Sequence, residues 1–169
     1  SRVLERIRQE YGYDVGALAD TVESWILEEM DFRREAANVA AIQEVIDDYG
    51  RDRPGAPAIS APRVLVETRP QIMIEEKVRG VEMSKLMQLA AWRTGRSNAV
   101  KRLQGMGFDG RESRWLVSAD LGGLRRHLRS FLLYQIFEKG VFHADLHGGN
   151  VMVGPDGALH LIDMGLIGR

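Results

Sequence analysis

The amino-acid sequence predicts a mixed α+β fold for this chain of 169 residues. Apolar residues recur every three or four positions over 14–48 and 124–139, a spacing typical of amphipathic helices. Pairs of short apolar runs separated by turn residues occur at 63–75 and 151–162, and these are typical of β-hairpins. The chain is long enough for one domain with a buried core.

Four helical segments are predicted: 1–11, 14–48, 83–92 and 124–139. The segment 14–48 is one long helix or two, because its apolar repeat breaks at residues 31–35. Gly140 is a natural C-cap for the last helix. Residues 50–62 contain three prolines and two glycines and are predicted as a loop. The Gly-rich, polar segment 93–122 gives no clear element.

Two pairs of strands are predicted, and each pair forms one hairpin. Residues 63–67 and 71–75 form the first pair, with Thr68-Arg69-Pro70 as the tight connection. Residues 151–153 and 159–162 form the second pair, and Pro155-Asp156-Gly157 between them is a strong turn signal.

Composition excludes several classes of function. The formal net charge of −1 gives no basic field for nucleic acid, so no nucleic-acid partner is expected. The absence of cysteine excludes disulfides and thiolate metal sites. No run of ~18 apolar residues is present, and the charged N-terminal segment lacks a signal-peptide core, so a cytoplasmic location is expected. The sequence opens within a helical pattern and stops just after its strongest motif, which suggests a piece of a longer protein.

Three side chains that handle metals or protons surround the second hairpin. Asp145 precedes it, Asn150 stands at its start and Asp163 follows its second strand. Because two antiparallel strands return the chain to its starting level, Asn150 and Asp163 should lie within one or two strand spacings of ~4.8 Å. Mg²⁺ takes one or two oxygen ligands from protein and the rest from phosphates and water. Asn150 and Asp163 are therefore candidate metal ligands, and Asp145 is a candidate base or orienting group.

Two simpler interpretations remain open. The Asp and Asn residues can be mere turn formers of a surface hairpin. His143 and His147, four residues apart, can form a transition-metal pair, but the glycines at 148 and 149 disfavour the helix that such a pair requires. Hydrogen bonding that shapes the loop is the favoured role for His143.

The order of these residues predicts a protein-kinase-like fold. His143-x-Asp145 with Asn150 five residues further on, a hairpin, and then Asp163-Met164-Gly165 is the order of a kinase catalytic loop and metal-binding motif. On this basis residues 1–80 are expected to form part of a small lobe with hinge strands. Residues 81–169 are expected to form a mostly helical part of the large lobe.

Three separate stretches resemble the UbiB-type atypical kinases, a family linked to ubiquinone and other lipid pathways. They are the loop 142–150, the acidic segment 29–38 (Glu-Met-Asp-Phe-Arg-Arg-Glu-Ala-Ala-Asn) and the hinge-like strand 74–80. The stretches occur in the family order and cover most of the chain. Met164 replaces the usual phenylalanine of the metal motif, and Glu75 stands where an apolar residue is commoner.

The resemblance implies a role for each matching residue. Asp145 matches the catalytic aspartate, Asn150 and Asp163 the metal ligands of Mg, and Glu35 the glutamate that pairs with a strand lysine. The hinge and loop residues that would contact ATP are Glu76, Val78 and His147.

Glu29 and Asp31 match the family's acidic motif beside the catalytic centre. At ~100° per residue their side chains point nearly oppositely on one helix, so both serve one site only if the helix breaks near Met30. Spacing alone favours a solvated charged face with Arg33 and Arg34 as partners.

The expected function is thus an ATPase or phosphotransferase of the UbiB type that binds Mg and ATP and is linked to ubiquinone or other isoprenoid-lipid metabolism. The resemblance also implies an isoprenoid lipid or a membrane surface as a partner, and hence peripheral association with a membrane. Two alternatives stay open: a small-molecule kinase of the aminoglycoside or choline phosphotransferase type, and a non-catalytic pseudokinase or lipid-binding scaffold. The segment Glu29–Ala37 resembles the UbiB proteins and not the small-molecule kinases.

We expect these 169 residues, expressed alone, to bind nucleotide weakly and turn it over poorly. All four lysines follow Glu35 in the sequence, so this chain holds no counterpart of the strand lysine that would clamp the phosphates. Release of inorganic phosphate from ATP by the isolated chain is the measurement. Readily measurable ATPase activity that Asp163→Asn abolishes would show the expectation to be wrong.

Overall fold

The computed structural model describes residues 31–66, 68–91 and 95–169. The predicted helix at 1–11, the first part of the segment 14–48 and the candidate site residue Glu29 lie outside the described residues. No helix among the described residues is long and apolar enough to cross a membrane.

Five α-helices follow one another along the described chain: α1 Phe32–Asp52, α2 Met83–Ala91, α3 Arg96–Gly105, α4 Gly110–Ser118 and α5 Leu121–Tyr134. Helix α1 begins where the apolar repeat breaks, and the side chain of Asp31 caps it by accepting the backbone N–H of Arg33 at 3.1 Å. The break at 31–35 therefore marks the beginning of a helix, which is what a short polar side chain at an N-cap produces.

The segment 93–122 contains two helices that periodicity did not reveal. A capping box begins α4, in which Asp109 accepts the backbone N–H groups of Arg111 and Glu112 and Glu112 accepts the N–H of Asp109. Each helix is short and buries few side chains, chiefly Leu103 of α3 and Leu116 of α4. An apolar stripe this sparse is hard to distinguish from loop, whereas the Asp-x-x-Glu pattern was the available signal.

The last helix changes its hydrogen-bonding pattern before it ends. After α5 the chain continues as a π-helical turn, Gln135–Lys139, and ends at Gly140 with a left-handed φ of 67°, which confirms the predicted C-cap. The wider turn shifts the phase of the helix. Gln135 is fully buried and Ile136 is partly exposed.

Six short strands form two sheets: β1 Ile59–Ser60, β2 Val81–Glu82, β3 Phe142–His143, β4 Val151–Val153, β5 Leu159–Leu161 and β6 Ile167–Gly168. The larger sheet has the order β1-β5-β4-β2, and β3 pairs with β6 in the smaller. The antiparallel β4–β5 hairpin confirms the prediction for 151–162, with Gly157 at φ 91° in its turn. Strand β1 pairs with β5 in parallel, so the prediction of a loop throughout 50–62 was wrong.

The predicted hairpin at 63–75 forms only in part. Isolated antiparallel bridges join Val64 to Glu75 and Arg69 to Ile72, without continuous strands. Its apolar side chains, including Leu65 and Ile74, are about half exposed. Few packed neighbours hold this ribbon flat, and a two-stranded ribbon with one open face is only marginally regular.

The core lies between α1, α5 and the larger sheet. Its buried side chains include Ile42 and Tyr49 of α1, Phe131 of α5, and Val151 and Leu159 of the sheet. Tyr49 packs edge-on against Phe131, with ring centroids 5.0 Å apart. His127 of α5 also bonds the Pro57 carbonyl through Nε2 at 2.9 Å, which ties the loop after α1 to the same helix. The strands that carry the candidate site are thus backed by a helical layer.

Truncation of Phe131 should destabilise the protein strongly, whereas truncation of Phe137 should not. Phe131 is 0% exposed and Phe137 is 79% exposed, so the two residues form a matched pair. We expect Phe131→Ala to lower the free energy of unfolding by ~3–5 kcal/mol and Phe137→Ala by less than about 0.5 kcal/mol. Chemical denaturation measures both, and equal losses would contradict the packing described above.

Candidate active site

The loop that carries Asp145 is anchored at its base by His143. The imidazole is 1% exposed, and its Nδ1 accepts the backbone N–H of Asp145 at 3.2 Å. The backbone N–H of His143 in turn donates to the buried Oε1 of Gln135 at 3.1 Å. These bonds confirm that His143 shapes the loop. Gln135 is itself fully buried and lies at the start of the π-helical turn.

The His143 ring is held in its neutral form. Burial lowers its pKa, and the backbone of Ile162 and the carboxylates of Asp163 and Asp145 oppose that effect only in part. A neutral ring can accept at Nδ1, so the lowered pKa favours the bond from the Asp145 N–H that holds the loop.

Asn150 joins the loop to the hairpin. Its side-chain Nδ2 donates to the Asp145 carbonyl at 3.1 Å and to the Asp145 carboxylate at 3.4 Å. Its backbone carbonyl accepts the N–H of Ile162 at 2.9 Å, so the residue that precedes Asp163 is paired directly with Asn150. Within the described part of the chain, no hydrogen bond uses the Asn150 Oδ1 atom. The structure therefore brings Asp145, Asn150 and the Asp163 segment together.

Asp163 adopts an unusual backbone conformation. Its φ of 62° is the single positive value of a non-glycine residue among the described residues. A left-handed backbone at a residue with a side chain costs on the order of 1 kcal/mol and is held by its surroundings. Here Met164 is buried in the core, and Asn38 of α1 donates to the Met164 carbonyl at 2.8 Å. The clamp turns the Asp163 carboxylate outward, where it is exposed.

Three carboxylates from different parts of the chain act on one another at this place. Burial raises the pKa of Glu35, and the negative charges of Asp163 and Glu75 raise it further, while the backbone N–H of Met164 works in the opposite direction. The pKa of Glu75 is raised by burial and by Asp163. The charged groups that act on Glu35 are both negative, so this side of the site attracts a cation. Among the described residues, no group of three His, Cys, Asp or Glu is close enough to enclose a metal by itself.

Asp31 is occupied locally. Besides capping α1, it forms a two-atom ion pair with Arg33, with Nε to Oδ1 at 2.9 Å, and the hydrogen bond from Arg33 lowers the pKa of Asp31. This contact is the one expected for a solvated charged face. Its catalytic role stays a prediction, as does that of Glu29, which lies outside the described residues.

The predicted nucleotide contacts lie at two places. Glu76 forms an ion pair with Arg63 at 3.1 Å, and with Val78 it lines a cavity of about 680 Å³ that also contains Ser60 and His160. His147 lies within the catalytic loop. Its Nε2 atom is 3.6 Å from the Asp145 carboxylate, and its Nδ1 atom accepts the Gly149 N–H at 3.0 Å. These roles stay predictions.

Two site residues escaped the sequence reasoning. Glu75 was noted only as a departure from an apolar position, and Asn38 was given no role although it lies within the acidic segment. Asn38 follows Glu35 by three residues, so the two share one face of α1. That spacing was the available signal.

Replacement of Glu35 by glutamine should stabilise the isolated 169-residue chain at neutral pH, because the described residues offer Glu35 no cationic partner. A carboxyl whose pKa is raised above 4.5 on folding binds its proton more tightly in the folded chain, so its ionisation lowers stability as the pH rises through that raised value. We expect Glu35→Gln to gain less than about 1 kcal/mol at neutral pH, because the group is partly solvated. The gain should vanish once the pH falls below the ordinary range.

Thermal unfolding against pH measures this effect. Glu44→Gln, an exposed position on the same helix, is the control and should leave the pH profile unchanged. A stability loss for Glu35→Gln at neutral pH would contradict the repulsion described above.

Comparisons with known proteins identify the family and the fold of the chain. The model of the family described as "ABC1 atypical kinase-like domain" matches residues 1–169. A probable protein kinase UbiB of Pseudomonas fluorescens is 27% identical over 157 residues, which are 89% of this chain and 23% of that protein. An uncharacterized protein of Synechocystis sp., sll0005, is 28% identical over 167 residues, which are 98% of this chain and 19% of that protein. The chain thus spans about a fifth of the length of these curated relatives.

A solved structure is similar in fold. The complex of Rv3197 with erythromycin from Mycobacterium tuberculosis superposes with a TM-score of 0.53 at 23% sequence identity, covering 96% of this chain and 33% of that one. The resemblance to UbiB-type kinases and the mixed α+β, kinase-like fold are both confirmed. Since the family model matches the chain from end to end, this protein belongs to the ABC1 atypical kinase-like family.

Proposed function

We propose that this chain is the metal-binding and catalytic-loop part of a kinase-like enzyme that binds Mg²⁺ and ATP and transfers the terminal phosphoryl group to an acceptor or to water. One observation carries the proposal. The hydrogen bonds of Asn150 to Asp145 and to Ile162 gather an amide, a base and the Asp163 segment around one short hairpin.

The donor set fits a magnesium ion. Asn150 would contribute its unused Oδ1, and Asp163 its exposed carboxylate, which together give the one or two protein oxygens that Mg²⁺ takes when phosphates supply the rest. The surplus of negative charge at Glu35, Glu75 and Asp163 favours a cation at this place. When bound, Mg²⁺ neutralises the charge of the phosphates.

Asp145 would act on the acceptor. Its side chain is 59% exposed, and its Oδ2 atom lies 3.4 Å from the Asn150 Nδ2 atom and 3.6 Å from the His147 Nε2 atom. A fixed, solvent-accessible carboxylate can orient an incoming hydroxyl or water and accept its proton. In this arrangement His147 would face the phosphates of the bound ATP, next to Asp145.

Glu35 would attract a second positive charge. Both of its charged neighbours are negative, and the described residues provide no compensating charge for it. We propose that Glu35 pairs with a lysine, as the family resemblance implies, and that Glu29 and Asp31 close the same side. Residues 1–80 would then be part of a small lobe, and the hinge residues Glu76 and Val78 would hold the base of ATP.

The acceptor is a separate question. The relatives are named probable protein kinase UbiB. We propose a link to ubiquinone or other isoprenoid-lipid metabolism and peripheral membrane association because the resemblance to the UbiB-type kinases implies them. The similarity to the protein solved with erythromycin concerns the fold alone, so it does not indicate a small molecule as the acceptor. A non-catalytic scaffold would bind ATP without needing Mg²⁺ or turning it over.

Removal of the Asp163 carboxylate should abolish the response to magnesium. In the full-length protein, ATP with Mg²⁺ at ~100 times its dissociation constant should add about 2.7 kcal/mol of stability. Asp163→Asn should lose this gain, and Asp145→Asn should keep it while phosphate release falls ~10²–10⁴-fold.

Thermal unfolding and phosphate release measure the two effects separately. Asp47→Asn is the matched control, because Asp47 is an exposed aspartate of α1 that accepts a hydrogen bond from the Gln43 side chain at 2.8 Å. Equal stabilisation of wild type and Asp163→Asn by ATP with Mg²⁺ would reject the proposed function.

A further inference from the structure

A narrow groove lies between α2, α5 and the catalytic loop. Its volume is about 300 Å³, at the lower end of small-molecule sites. The floor is apolar and the edges are basic. The floor consists of Met83, Met87, Leu128, Leu132 and Leu146.

Two arginines border the groove without partners. Arg125 and Arg129 are four residues apart on α5, so they project from the same face of the helix. Within the described part of the chain, neither side chain forms an ion pair or a hydrogen bond. Arg126, between them, is drawn to Asp120 at 3.6 Å instead. The groove therefore has a positive edge that no carboxylate of the described chain neutralises.

One end of the groove meets the candidate active site. His147 and Gly148 close that end, and His147 Nε2 lies 3.6 Å from the Asp145 carboxylate. The N–H of Ser84, in the first turn of α2, donates to the Gly148 carbonyl at 2.9 Å, which fixes the helix against the loop. A Cβ atom at Gly148 would lie 3.3 Å from that nitrogen, so the close approach depends on glycine. A ligand in the groove would touch the loop that carries the catalytic aspartate.

We propose that this groove binds a single-chain amphiphile with an anionic head group. The apolar chain lies on the methionine and leucine floor, and the anion is held between Arg125 and Arg129. Methionine side chains suit an adaptable apolar floor, and two guanidinium groups suit a phosphate or carboxylate. The groove is concave and too small for a peptide helix, and a flat membrane surface would not enter it. The binding is independent of the proposed phosphoryl transfer, although any effect on catalysis rests on that function.

The probe is n-decyl phosphate below its critical micelle concentration, added to the full-length protein and followed by isothermal titration calorimetry. We expect saturable binding, with decanol and inorganic phosphate each binding much more weakly because each lacks half of the recognition. The double variant Arg125→Gln/Arg129→Gln should weaken binding about tenfold or more. Met87→Gln should weaken it through the floor, and both variants should remain folded because these side chains are exposed.

The matched control is Arg111→Gln/Arg114→Gln, which removes the same charge from exposed positions of α4. It should leave the affinity unchanged. An equal loss in both double variants would reduce the effect to net charge and overturn the proposal. So would the absence of saturable binding, or binding that appears only with vesicles containing anionic lipid.

Stabilisation by ATP with Mg²⁺ is measured on the same samples. Failure of decyl phosphate to bind while the nucleotide response is intact rejects the groove alone. Loss of the nucleotide response in the wild type, with decyl phosphate still bound, rejects the proposed function and leaves the groove standing.

Discussion

The antiparallel pairing of β4 with β5 determines where the candidate site can be. The two strands reverse the chain through one tight turn and end with the Ile162 N–H bonded to the Asn150 carbonyl. Val151 and Leu161 face each other across the pair and are both fully buried. β1 and β2 occupy the two outer edges of the sheet. A slip of one residue between β4 and β5 would turn their buried side chains to the opposite face of the sheet. The register of β4 against β5 therefore fixes both which side chains are buried and where Asp163 lies.

A buried polar network transmits that constraint to the catalytic loop. Gln135, at the start of the π-helical turn after α5, accepts the His143 backbone N–H, and the His143 ring accepts that of Asp145. Because Gln135 and His143 are both buried in the core, these two bonds tie the position of Asp145 to the end of the helix. On the other side of the site, Asn38 clamps the turn after Asp163 to α1. Side chains from helices and a strand thus hold the turns that carry Asp145 and Asp163.

The charges around the loop are divided between its two sides. Glu35, Glu75 and Asp163 repel one another on the side of α1, which is where a nucleotide-bound metal is proposed. Arg125 and Arg129 border the groove on the side of α2 and α5. Asp145 and His147 stand between them. Such a division gives a kinase-like loop one face for a cation and its nucleotide, and another face for an anionic ligand.

Local sequence patterns were sufficient to predict the β4–β5 hairpin, the C-cap at Gly140 and the break in the apolar repeat at 31–35, although they left open whether 14–48 is one helix or two. Each depends on neighbouring residues: a Pro-Asp-Gly turn, a left-handed glycine and a short capping side chain. The motif order around Asp145, Asn150 and Asp163 likewise predicted the family. Only the tertiary structure decided that Ile59–Ser60 is a strand, because it pairs in parallel with residues 100 positions away, Leu159 and His160. It alone placed Glu75 beside Glu35 and left Arg125 and Arg129 without an ion pair among the described residues, since charge interactions between distant segments have no periodicity in sequence.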